Sequence, residues 1–143
     1  MTEMERRVAA VRLTMSHFAG KPFAWGRTDC AKVAAWHLRQ MGHRVSGMGK
    51  AGTYKTPLGA RRALSRLGHE TLTDALGAIG LLEIAPAAAL PGDIVVTPGT
   101  DGFEALTIVA GNGAVLGFHE DALELGLQAI RIGNANSGRA WRA

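Results

Sequence analysis

The chain has 143 residues, 47% hydrophobic and 20% charged, with a net charge of +4, which is enough for one domain core and too little for two. Its single cysteine excludes an internal disulfide and a cysteine-based zinc cluster, and no apolar run approaches the roughly 20 residues of a membrane span, because Leu76–Leu90 is broken by glycines, Glu83 and Pro86. Residues 1–70 carry 13 Lys/Arg against 4 Asp/Glu and residues 71–143 carry 3 against 8, but no basic run interleaves with aromatics, so nucleic acid is not an expected partner.

Met1–Arg7 is charged and runs into an amphipathic pattern, not the apolar core of a secretory leader, so no cleaved leader is expected. From Thr2 to Ala19, Val8, Val11, Met15 and Phe18 recur at helical steps and predict a helix buried on one face. Gly20 and Pro22 stop it, and Lys21–Thr28 reads as a loop anchored by Phe23 and Trp25. Thr28 or Asp29 can cap the second helix, whose apolar face takes in Cys30, Val33, Ala34, His37, Leu38 and Met41 before Gly42 ends it. The glycine-rich stretch Gly42–Gly52 leads to Tyr54. It contains Lys50 but lacks the strand, spacing and Lys-Ser/Thr ending of a phosphate loop. Thr56-Pro57 is a cap with a first-position proline for a third helix closed by Gly68, and Thr73 or Thr71 starts a short fourth one through Ile79.

After Ala85 the character changes. Pro86 and Pro91 flank an alanine-rich linker, and Gly92-Asp93 opens a strand, Ile94–Thr97, in a turn that makes Asp93 a structural acid. Segments Phe103–Ala110 and Ala114–His119 flank Gly111-Asn112-Gly113, a hairpin signal because Asn and Gly accept positive φ. Gln128–Ile132 predicts one more strand, and Trp141 ties down the C-terminal end. Helices first and strands afterwards predict a single α+β domain over 1–143, with the N-terminal helices packed on a small antiparallel β-sheet.

Chemistry concentrates in Pro22-Phe23-Ala24-Trp25-Gly26-Arg27-Thr28-Asp29-Cys30. A thiol in the first turn of a helix sits near unpaired N–H groups and the positive end of the helix dipole, both of which favour the thiolate, and those amides can hold an oxyanion. The same placement also suits a packed, inert cysteine. Asp29 reads as the helix cap, since a carboxylate beside a needed thiolate would raise its pKa. No metal-ligand spacing appears, and neither a metal nor a cofactor is expected.

Trp25-Gly26, Asp29-Cys30 opening a helix, Pro91-Gly92-Asp93 opening a strand and the Gly111-Asn112-Gly113 hairpin together resemble the NlpC-type cell-wall peptidases of the papain-like superfamily. More narrowly, Gly52-Thr53-Tyr54, Gly59-Ala60 and the closing Ala140-Trp141-Arg142 make residues 3–142 look like a short phage-encoded branch of that superfamily, found among tail genes. The resemblance implies a papain-like NlpC-type fold in a virion protein made in the host cytoplasm, with other tail-tip or hub proteins and peptidoglycan as partners. It also implies a Cys30 thiolate attacking a stem-peptide amide, with a histidine of the adjacent sheet as base.

Counted back from the Gly-Asn-Gly turn, that histidine position holds Ala105, which cannot take a proton. His37 lies seven residues past Cys30, about 10 Å along the helix axis at about 1.5 Å per residue, too far to serve. His17, His43 and His69 fall in helix or helix-end contexts. His119 is the one histidine of the β half: a three-residue hairpin loop sets it opposite Ala105, whereas a two-residue loop sets Glu120 there and turns His119 away. Two readings follow, a tail-tip peptidase with Cys30 as nucleophile and His119 as a displaced base, or a catalytically degenerate tail-tip scaffold in which Cys30 packs.

Overall fold

The computed structural model describes residues 1–45, 52–99, 104–131 and 138–143, so the Lys50 stretch, Phe103 and Ile132 lie outside the described residues. Among the described residues, four helices precede the sheet strands. Helix α1 is Glu3–Phe18, started by a reciprocal capping box between Thr2 and Glu5. Helix α2, Cys30–Gln40, is capped by Asp29, α3, Pro57–Arg66, by Thr56 ahead of Pro57, and α4, Leu72–Ile79, by Thr71 with Asp74 reaching back.

The strands are β1 (Leu82–Ile84), β2 (Ile94–Thr97), β3 (Ala105–Gly111), β4 (Ala114–Gly117), β5 (Gln128–Arg131) and β6 (Arg139–Arg142). They form one sheet in the order β1-β6-β2-β3-β4-β5, antiparallel throughout. The fold is therefore α+β, helices against an antiparallel sheet, as the order of patterns predicts. Helices α1 and α2 pack on β3, and the core joins Val11, Phe18, Leu38, Ile94, Ile108 and Trp141.

Two strands escape the sequence pattern. β1 is only three residues long, and β6 reads Arg-Ala-Trp-Arg, yet Ala140 and Trp141 are buried between β1 and β2. Trp141 thus does more than fasten an end: it joins the core from the strand between β1 and β2, with Arg139 stacked 5.0 Å from its ring centre. In the other direction, β4 stops at Gly117, and Glu120–Leu125 turns into 3-10 structure.

The hairpin combines both loop readings. Asn112 (φ 55°) and Gly113 (φ 75°) make a two-residue turn pairing Gly111 with Ala114, as two consecutive positive-φ positions require. An irregularity between Val109 and Gly111 then shifts the ladder, so that Ile108 faces Leu116. Continued three steps, that register would set His119 opposite Ala105, but β4 has already ended and Ala105 pairs with Thr97 of β2.

A buried polar cluster joins α1, α2 and β2. Asp93, wholly buried, accepts at Oδ1 from Arg7 (2.9 Å) and the Ala143 N–H (2.9 Å), and at Oδ2 from the Leu90 N–H (2.8 Å), with Arg142 3.3 Å away. Arg7 also donates to the carbonyls of Pro91 and Ala143. Its Nε lies 3.2 Å from Glu3 but out of line for a hydrogen bond, so that ion pair adds charge without satisfying the N–H. His37, also wholly buried, spans Thr14 Oγ1 (2.8 Å at Nδ1) and Gly92 O (2.9 Å at Nε2). A carbonyl only accepts, so Nε2 carries the proton; in the neutral ring Nδ1 can only accept, and the single Thr14 hydroxyl proton is shared between Nδ1 and the Ala10 carbonyl at 2.9 Å. Burial is the main influence holding the His37 pKa below its ordinary value.

Candidate functional site

Three local devices fix Cys30. The first is the cap. Asp29, 1% exposed, accepts from the Lys32 N–H at 2.9 Å, which starts α2 at Cys30. Its other oxygen accepts from the Gly26 N–H (2.9 Å) and the Tyr54 hydroxyl (2.6 Å), so one carboxylate ties the helix start to the preceding loop and to a segment 25 residues on. Burial, then the bond to Asp29, raises the Tyr54 pKa far above its ordinary range, and Tyr54 stays a donor.

The second device is close backbone approach. Gly26 has φ +79°, and a Cβ there would collide with the Tyr54 carbonyl, so this loop closes only on glycine. The third is aromatic: Phe23 makes edge contacts with Trp25 (5.0 Å) and Phe118 (5.2 Å), and its N–H donates to Leu123 O at 2.9 Å. The loop aromatics anchor Lys21–Thr28 to the far side of the hairpin.

Cys30 therefore stands in the first turn of α2 and faces β3, with a backbone hydrogen bond from Leu106 at its sulfur. An outer groove of about 480 Å³ opens here, with Trp25, Cys30, Ala105, Leu106 and Phe118 in its walls. No histidine is among its described lining residues. His119 is exposed and caps the 3-10 segment, its Nδ1 accepting from the Asp121 N–H at 3.1 Å. His37 is committed to Thr14 and Gly92, and His17 stacks on Trp36 at 4.2 Å.

The electrostatics run against a nucleophile. Desolvation pushes the Cys30 thiol up to about 11, with the Asp29 charge adding to it and backbone hydrogen bonds from Leu106 and Ala31 only opposing it. The helix start favours the thiolate, as the sequence suggests, but removal from water is the larger influence. At neutral pH the sulfur is a packed thiol. Among the described residues no cluster of His, Cys, Asp or Glu could hold a metal ion.

Behind the same sulfur lies a second, inner cavity of about 100 Å³ between α2, α3 and α4. Six alanines line it, Ala31, Ala34 and Ala35 of α2, Ala60 and Ala63 of α3 and Ala75 of α4. It shares Trp25, Cys30 and Leu106 with the outer groove. Leaving such a space unfilled costs about 2 kcal/mol. Neither this cavity nor the Asp29–Tyr54 bond was foreseen from sequence; the recurrence of alanine at helical spacing on three successive helices is the signal that could have found the first.

The arrangement defines an α+β domain with a helix-start cysteine between two cavities and no imidazole on the groove. The chain belongs to the family described as "Domain of unknown function (DUF6950)", whose model matches residues 2–143. No curated protein matches it. Among solved structures, it is similar to RipD from Mycobacterium tuberculosis, described as a non-catalytic NlpC/p60 domain protein adapted to peptidoglycan binding, at 16% identity and TM-score 0.48, covering 95% of this chain and 96% of that one. It is also similar to the P60 domain of antigen MAP1272c from M. avium paratuberculosis, at 18% identity and TM-score 0.47, covering 95% and 93%.

Proposed function

We propose that this chain is a phage tail-associated NlpC-like domain that keeps the groove of a cysteine peptidase without its chemistry, and serves the tail tip as a binding and assembly module. The observation that carries the reading is that Cys30 and Ala105 line one groove: the position where the resemblance calls for a histidine has no proton acceptor, and the thiol is pushed up to about 11. A thiol without a base within reach is not activated for attack on an amide. The motif order from Trp25-Gly26 through Asp29-Cys30 to Ala140-Trp141-Arg142 supports the NlpC-like and tail-associated parts.

A working peptidase is favoured by one observation, the seat of Cys30 at the amino end of α2. The two readings separate in one experiment. Incubated with purified host peptidoglycan, the protein is expected to release no stem peptides above a blank, and virions carrying Cys30→Ser are expected to infect as the wild type does. Peptide release that vanishes in Cys30→Ser, or virions lacking the protein altogether, contradicts the proposal.

A further inference from the structure

We infer that the alanine-lined inner cavity is an anchor pocket for one Leu or Val side chain, carried by an extended segment of a partner protein that lies in the outer groove beside Cys30. The inference rests on the reading of the groove as a binding surface and adds what it binds.

Size sets the first limit. An apolar cavity of about 150 Å³ stays dry and holds a benzene ring, so 100 Å³ takes about four carbons by proportion. That is a leucine or valine side chain, and it is far too small for a fatty acyl chain. The lining sets the second. The six alanines present methyl groups, while the three polar side chains of the described lining are already engaged: Asp29 by three donors, Tyr54 by Asp29, and Lys32 over the Tyr54 ring at 5.9 Å. A polar group entering would lose its water without a partner. A space that a single Ala→Leu change would fill is kept open from three helices at once.

Continuity sets the third limit. Trp25, Cys30 and Leu106 line both spaces, so a segment in the groove runs alongside the pocket at the sulfur. The charged side chains among the described groove residues are Glu104 and Glu120. Glu104 accepts from the Leu72 and Thr73 N–H groups at the start of α4, and Glu120 is exposed. Two carboxylates and no cation complement a segment with Lys or Arg next to its aliphatic residue. Peptide recognition by one buried side chain in a well-packed pocket, ringed by polar contacts, is the usual anatomy of such an interface.

The test uses the whole protein with ¹³C-methyl alanine and four probes: acetyl-Leu-Lys-amide, acetyl-Ala-Lys-amide, acetyl-Leu-Glu-amide and a soluble muropeptide. Acetyl-Leu-Lys-amide is expected to shift the methyls of Ala34, Ala63 and Ala75 saturably, and to bind roughly tenfold more tightly than its Ala counterpart, with the Glu peptide weaker. Ala63→Leu, which fills the space, is expected to abolish the difference between Leu and Ala peptides; Ala75→Leu, from the opposite helix, does the same if Ala63→Leu does not fold. Equal shifts from Leu and Ala peptides, confined to the Ala105 methyl in the groove, overturn the anchor pocket and leave groove binding standing. Muropeptide binding without Leu-peptide binding overturns the choice of a protein partner, and an absence of shifts from every probe removes groove binding as well.

Discussion

At the scale of single residues, environment overrides position. Cys30 occupies the one kind of place where a thiol is expected to ionise, yet desolvation wins. His37 shows the same rule with the opposite charge: buried, hydrogen-bonded at both nitrogens and held below its ordinary pKa, it is neutral when folded and takes a proton when unfolded. At this residue the unfolded chain then binds more protons below about pH 6.5, so the His37 contribution to stability is constant above that value and falls with acid, by up to about 1.4 kcal/mol per pH unit. Urea unfolding at pH 7 and pH 5 measures the loss, and His37→Gln is expected to flatten it. Gly26 yields a second prediction. Gly26→Ala forces a Cβ into the Tyr54 carbonyl at positive φ, for a loss of about 3 kcal/mol in the same assay. An unchanged midpoint would mean the loop relaxes without cost.

At the scale of elements, what was legible followed from local signals. Thr2, Asp29, Thr56 and Thr71 are side-chain caps, and each starts a helix where the cap chemistry requires it. Ile94, Val95 and Val96 of β2 are continuously apolar and lie in the sheet interior. β1 and β6 were not legible because three residues around a central Glu83 and four with arginines at both ends carry no period, and Ala140 and Trp141 are buried only through partners more than 40 residues away. The site divides the same way. Cys30 at a helix start is a local fact, readable from Asp29 and the apolar face of α2. Whether any base reaches it depends on where β4 ends and how the hairpin shifts at Gly111, which no local pattern specifies. His119 was placed by counting along a strand that stops two residues short of it. Installing the missing group tests this geometry: Ala105→His puts an imidazole on the Cys30 groove, and the thiol is expected to react with alkylating reagents at pH 7.5 at least about tenfold faster than in wild type. No acceleration in a folded variant would mean that position 105 does not face the sulfur.

At the scale of the whole molecule, one buried cluster holds the helical half to the sheet. Arg7 from α1 and Asp93 ahead of β2 meet at 2.9 Å, with Ala143 and Arg142 from the C-terminal strand closing around them. Without Arg7 the buried Asp93 keeps only the partly exposed Arg142 as counter-charge, so Arg7→Met is expected to cost about 3 kcal/mol, read as a lowered urea midpoint. The central claim, a packed thiol on a groove that binds without cutting, is tested most directly by the rate of Cys30 alkylation against pH in the folded protein. A half-rise near the thiol pKa of about 11, with negligible reaction at neutral pH, is the predicted result. A half-rise below about 8.5, the value of a free cysteine, would contradict it.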